Sequence, residues 1–171
     1  SFPLKAIEFC LDSLGIAMNE IDLVVFYEKP ILKFERILCQ HLQHFPASCK
    51  TFLDTTGSWL DKKLQIKKLL REKCHYHGKV FYLHHHLSHA ASSYYLSQFN
   101  KAVIVTIDGV GEWATTTMGR AENGRIKIEQ EIHFPHSLGL FYSTITAYLG
   151  FKVNNDEYKV MGLAAYGNHQ R

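Results

Sequence analysis

Apolar positions recur along the first hundred residues in two rhythms. Leu4, Ile7, Leu11 and Leu14 fall at helical spacing. Ser1-Phe2-Pro3 supplies the start, with Ser1 as N-cap and Pro3 in the first turn, and Gly15 stops the helix. Residues 23–27 form an unbroken apolar run of strand length, closed by Pro30, as a buried parallel strand requires. Ile31, Phe34, Leu38 and Leu42 predict a helix over 31–45, ended by Pro46. Residues 47–56 read as a polar connection. A third helix is expected over about 58–73, with Leu60, Leu64 and Leu70 inward and Lys62, Lys63, Lys67, Lys68 and Arg71 outward. A solvated face accounts for these cations better than an anion-binding surface does. Residues 79–83 predict a second parallel strand, followed by a helix to about Ser97.

The rhythm then changes. Residues 102–108 are a buried strand ending in Asp108, and Gly109-Val110-Gly111 is a turn. Residues 113–120 are a Thr-rich strand, Glu122-Asn123-Gly124 a hairpin turn, and residues 125–134 a strand alternating through Ile126, Ile128 and Ile132. Leu138, Phe141, Ile145 and Leu149 then mark one face of a helix over 137–149. The order α-β-α-α-β-α implies a parallel sheet with crossover helices. The later β-β-β-α order implies an antiparallel meander. One α/β architecture accommodates both, the duplicated actin-like ATPase (ribonuclease H-like) fold, in which each half runs βββαβαβα. Residues 1–97 are then the back part of the first half and residues 101–171 the start of the second, an interior fragment of one domain.

Composition narrows the function classes. The chain has 171 residues, 46% of them hydrophobic, and a net charge of +3. It has no Lys/Arg-rich run of the kind that marks a nucleic-acid footprint. It also has no apolar stretch approaching a membrane span, and no signal peptide. The chain opens without an initiator Met, so a longer parent protein is expected, in the cytoplasm. Cys10, Cys39, Cys49 and Cys74 form no C-x-x-C pair and read as reduced thiols.

Chemistry concentrates in three segments. In His84-His85-His86-Leu87-Ser88-His89, His85 and His89 stand four apart. Such positions share a helix face with Cβ atoms about 5–6 Å apart, so both rings can converge on one ion. A further ligand is needed, and Asp108 at the next strand end is the nearest strong candidate. A solvated poly-histidine stretch is the alternative. His84 and His86 are candidates to orient a ligand from outside the coordination sphere. Asp108-Gly109-Val110-Gly111-Glu112 pairs a carboxylate with glycines whose backbone N–H groups can meet phosphate, although a tight turn needs the same residues. Thr115 and Thr117 share a strand face, and β-propensity accounts for them. Lys159, in Lys159-Val160-Met161-Gly162-Leu163-Ala164, is a candidate contact to phosphate or carbamoyl phosphate, or a surface lysine before a helix.

His85-x-x-x-His89-Ala90, Asp108-Gly109-x-Gly111-Glu112 and Lys159-Val160-Met161-Gly162-Leu163-Ala164-x-Tyr166-Gly167, in this order, resemble the nodulation-protein-type O-carbamoyltransferases, over nearly the whole chain. The resemblance implies an enzyme that uses ATP and carbamoyl phosphate to form carbamoyl-adenylate. The carbamoyl group then passes to a hydroxyl of a small molecule. It implies an actin-like transfer domain with His85, His89 and Asp108 as metal ligands, for iron above other divalent metals. It also implies cofactor contacts at Asp108, Gly109 and Gly111, and catalytic roles for Glu112, at the acceptor, and Lys159. A further acidic ligand, the first strands and an adenylate-forming domain are expected in the rest of the parent chain. The isolated fragment is then expected to be inactive and, with bare strand edges, to form a homodimer. Two other functions remain open on the residues. One is a sugar-kinase-like phosphotransferase, which shares the strand-end Asp and glycine turn but does not need the histidine pair. The other is a non-catalytic metal-binding domain.

Overall fold

The computed structural model describes residues 2–58 and 64–168. The chain folds as a mixed α/β protein with two compact units, Ser1–His85 and His86–Arg171.

The first unit contains α1 (Leu4–Leu14), a short 3-10 turn, β1 (Leu23–Phe26), α2 (Pro30–Gln43), α3 (Cys49–Ser58), α4 (Ile66–Cys74) and β2 (Lys79–Tyr82). Pro3 occupies the N-cap position of α1 rather than its first turn, and Gly15 closes the helix in the left-handed conformation, with φ +64°. β1 and β2 pair in parallel, Val24 opposite Val80 and Phe26 opposite Tyr82, and Leu83 N–H extends the ladder to Phe26 O at 3.0 Å. Two expectations need correction. The segment read as a polar connection is helical as α3, because the Phe52 ring packs on His41 of α2 at 5.1 Å and the Ser48 hydroxyl donates to His41 O. Of the helix expected over about 58–73, the described residues show Ser58 at the end of α3 and α4, with residues 64 and 65 outside both. Ser1, Leu60, Lys62 and Lys63 lie outside the described residues. In α4, Leu70 is buried while Lys67, Lys68 and Arg71 are exposed, the solvated arrangement.

The second unit is built on β3 (Lys101–Ile107), β4 (Ala114–Glu122) and β5 (Arg125–His133), an antiparallel meander in that order. The β4–β5 turn is Asn123-Gly124 with φ of 51° and 73°, the positive pair that a tight hairpin of matching twist requires. α5 (His85–Tyr94), α6 (Leu138–Tyr148) and α7 (Glu157–Ala164) complete the elements. The core joins Ala90 and Tyr94 of α5 to Ile104 of β3 and Ala121 of β4, with Ile126 and Ile128 packed against them. Thus α5, which the strand order assigned to the back of the first half, lays its buried face on the meander.

The sheet buries one face. On the other, Val103, Val105, Ile107, Met118 and Ile132 are exposed. α6 reverses the sequence expectation: Leu138, Phe141, Ile145 and Leu149 are exposed, whereas Thr146 is wholly buried and Gly139 and Ser143 are half-buried. A small-residue stripe, not the apolar one, is the inward face, because close backbone approach at Gly139 leaves no room for larger side chains. Among the described residues no helix is long and apolar enough to cross a membrane.

Candidate metal centre

The site starts from the way α5 is fixed in rotation. His86, Ala90 and Tyr94 recur every fourth residue and are all buried. His86 is 3% exposed, and both its ring nitrogens are satisfied. Nε2 lies 2.9 Å from Ala114 O, and a carbonyl can only accept, so the proton is on Nε2. Nδ1 then accepts from the Thr106 hydroxyl at 2.6 Å, and Thr106 Oγ1 accepts in turn from Thr117 at 2.7 Å. A buried polar chain therefore runs from β4 through β3 to the helix and sets which face of α5 meets the sheet. Thr117, which β-propensity alone explained, is part of that chain. Thr115 instead donates to Ile132 O and His136 O, bracing β4 against the segment after β5.

With His86 turned to the sheet, His85 and His89 occupy the neighbouring stripe of the same helix. His85, His89 and Asp108 bring one ligand atom each to within 4.8 Å of one another. His89 Nε2 is 3.7 Å from Asp108 Oδ2. Two imidazoles and a carboxylate form a donor set that divalent iron, manganese and zinc all accept, so the residues present fit such an ion. The His85 side chain is 14% exposed and that of His89 51%, so the group is reached from the His89 side.

Asp108 is held by its own turn and by α6. Gly109 N–H donates to Asp108 Oδ1 at 2.7 Å, Asp108 N–H to Thr115 O and Gly111 N–H to Ala114 O, each at 2.9 Å. Both glycine amides are thus used inside the turn in this structure. What the glycines secure is the position of the carboxylate. The Ser137 hydroxyl, the N-cap of α6, donates to Gly109 O at 2.6 Å and accepts from Leu140 N–H at 3.0 Å. A Cβ on Gly139 would overlap the Asp108 carbonyl and lie 2.6 Å from Gly109 N, so only glycine lets α6 dock here. A cleft of about 720 Å³ opens beside the turn, lined by Asp108, Gly109, Leu138, Tyr142, Asn154 and Glu157.

Two further residues, Glu112 and Lys159, are expected to be catalytic. Glu112 is buried, at 5% exposed. Lys159 lies in α7 with Nζ 2.9 Å from Asp156 Oδ1. That contact, and then the Lys152 amide, hold the Asp156 carboxyl below its ordinary value, while Lys159 is raised. Within the first unit, Lys29 Nζ meets His84 Nε2 at 2.8 Å. An ammonium only donates, so His84 accepts there. Sequence reasoning gave no role to Ser137, Gly139 or Glu28. A serine immediately before a helical pattern is an N-cap signal; the contacts of the other two depend on long-range packing.

Residues 1–171 match the family described as carbamoyltransferase N-terminus. The chain belongs to that family. It is 44% identical over 175 residues to an uncharacterized protein of Synechocystis, covering 98% of this chain and 28% of that protein. It is 31% identical over 172 residues to the nodulation protein NolNO of Sinorhizobium fredii, covering 97% of this chain and 23% of the relative. It is 42% identical over 91 residues to the nodulation protein NolO of Bradyrhizobium diazoefficiens, covering 52% of this chain and 16% of that one. The chain thus spans about a quarter of the length of the first two of these relatives.

Proposed function

We propose that this chain is the metal-binding part of the transfer domain of an ATP- and metal-dependent O-carbamoyltransferase. The enzyme would act in the cytoplasm, with the domain built on an actin-like fold completed by the rest of the parent chain. The observation that carries the reading is the convergence of His85, His89 and Asp108 in a chain of the carbamoyltransferase N-terminus family. The donor would be carbamoyl phosphate, activated as carbamoyl-adenylate, and the acceptor a hydroxyl of a small molecule.

A bound divalent ion, iron by preference, supplies Lewis acidity toward carbamoyl and phosphoryl oxygens. The chain's own residues do the rest. His86 and its threonine partners keep α5 in one rotation, so the two imidazoles meet Asp108 without reorganising. The Asp108 turn, pinned by Ser137, keeps the carboxylate in the lining of the cleft, beside Leu138, Leu140 and Val153. Lys159 contributes charge at the α7 side of the same unit.

The test is made in the full-length protein. His85→Ala or His89→Ala should lose the metal on dialysis and lose transfer from carbamoyl phosphate to the acceptor. Transfer retained by either variant in metal-free form rules the assignment out. Phosphate transfer from ATP to a sugar by the wild-type protein, independent of both histidines, would favour the kinase-like function instead.

A further inference from the structure

Glu28 follows β1 and is 3% exposed. A buried carboxylate is costly unless it is paired and hydrogen-bonded. Lys33 Nζ, one turn into α2, supplies the counter-charge at 2.7 Å from Glu28 Oε2. The same Oε2 lies 3.9 Å from His85 Nδ1, within ion-pair range though longer than a hydrogen bond. The Tyr27 ring stands edge-on to the His85 imidazole, with centroids 5.8 Å apart, so the imidazole is flanked by an aromatic wall and a carboxylate.

We infer that Glu28 is a positioning residue for His85: its carboxylate draws the imidazole proton to Nδ1 and leaves the Nε2 lone pair for the metal. The inference rests on the proposed metal centre. A metal-binding imidazole offers one nitrogen to the ion and directs the other N–H to a carboxylate or carbonyl, which fixes the tautomer and the ring plane. His85 has a carboxylate on its Nδ1 side, and Glu28 lies outside the His85–His89–Asp108 group, so it acts through His85 rather than on the ion. The register of β1 and β2 explains the meeting: Phe26 pairs with Tyr82, so the residues just beyond the two strand ends lie side by side.

The experiment uses the full-length protein with two readouts. The first is the His85 tautomer in metal-free protein, from long-range proton–nitrogen correlations of labelled histidine. The second is affinity for Co(II) alone, from its visible absorption. Wild type should show a proton on Nδ1. Glu28→Ala should mix the tautomers and weaken Co(II) binding by about 10–100-fold. Glu28→Gln, whose amide oxygen still accepts, should restore the tautomer and most of the affinity. If Glu28→Ala leaves Lys33 stranded and does not fold, Glu28→Ala with Lys33→Met removes both charges together and gives the same two readings. An unchanged tautomer in a folded variant lacking the Glu28 carboxylate overturns the inference, and so does unchanged Co(II) affinity. A shifted tautomer in a protein whose wild type never binds Co(II) supports the Glu28–His85 link and overturns the metal centre instead.

Discussion

His86 shows how one buried residue can determine the direction of two others on its helix. Its ring joins Thr106 of β3 to the Ala114 carbonyl of β4, and the metal-facing stripe of α5 follows from that attachment. His86→Leu fills similar space but leaves the Thr106 hydroxyl and the Ala114 carbonyl without this partner. The Ala114 carbonyl keeps the Gly111 N–H, while taking the acceptor from the buried Thr106 hydroxyl costs about 1–3 kcal/mol. Amide exchange at Thr106 and Thr117 should rise by about tenfold or more, because local opening becomes easier by that free energy; unchanged exchange would mean that the chain of hydroxyls carries no stability. The Asp156–Lys159 pair gives a pH signature at the same scale. The Asp156 carboxyl is held below 3.8 by the Lys159 ammonium first, so its stabilising share is present above 3.8 and is lost as pH falls through the lowered value. Lys159 is raised above 10.5 by Asp156, so its share is complete below 10.5 and is lost as pH rises through the raised value. Side-chain carbon shifts should titrate at those displaced midpoints, and Lys159→Met should return Asp156 towards 3.8.

At the scale of elements, the contact of α6 with the Asp108 turn is one of close backbone approach. The helix presents Gly139, Ser143 and Thr146 inward and turns Leu138, Phe141, Ile145 and Leu149 outward. Gly139→Ala adds one methyl against the Asp108 backbone, where overpacking costs typically 1–3 kcal/mol. The strain is relieved by moving the turn, and the turn carries the carboxylate. We expect Gly139→Ala to weaken metal binding by about tenfold while α6 stays helical, as measured by metal titration beside circular dichroism. Ser143→Ala, which adds no bulk, should leave the affinity unchanged. Equal affinities in all three proteins would show that the turn does not depend on the helix for its position.

At the scale of the molecule, apolar surface is left open in both units. Leu23, Val25 and Phe81 are exposed on the paired strands of the first, and Val103, Val105 and Ile107 on the meander of the second. β1 and β2 form a sheet of two strands, so each has an edge without a strand partner among the described residues. Open strand edges and contiguous apolar patches drive association between copies. Residues 1–171 alone should therefore self-associate, with a sedimentation coefficient that rises with concentration, whereas the full-length protein should show a weaker dependence. A monomer at every concentration would mean that these faces are tolerated in water as they stand.

The sequence by itself determined what is local. The four-residue step between His85 and His89 places two imidazoles on one helix stripe whatever the rest of the chain does, and a strand-length run before Asp108 puts a carboxylate at a strand end. The Asn123-Gly124 hairpin and the two parallel-type strands were legible for the same reason: short-range periodicity and turn chemistry are fixed by backbone sterics within a few residues. Only the tertiary structure decided which stripe of α5 faces the sheet, that Glu28 lies beside His85, and that the small face of α6 is buried. Those outcomes depend on register between distant strands and on how closely two backbones can approach, and both are set by the summed packing of segments far apart in the chain. Periodicity misread α6 because an apolar stripe reports a preference for burial, whereas contact at Gly139 demands the absence of a side chain. Residues 49–56 were misread as a connection for a related reason: their helix is stabilised by Phe52 against His41 of another helix, a contact no local pattern contains.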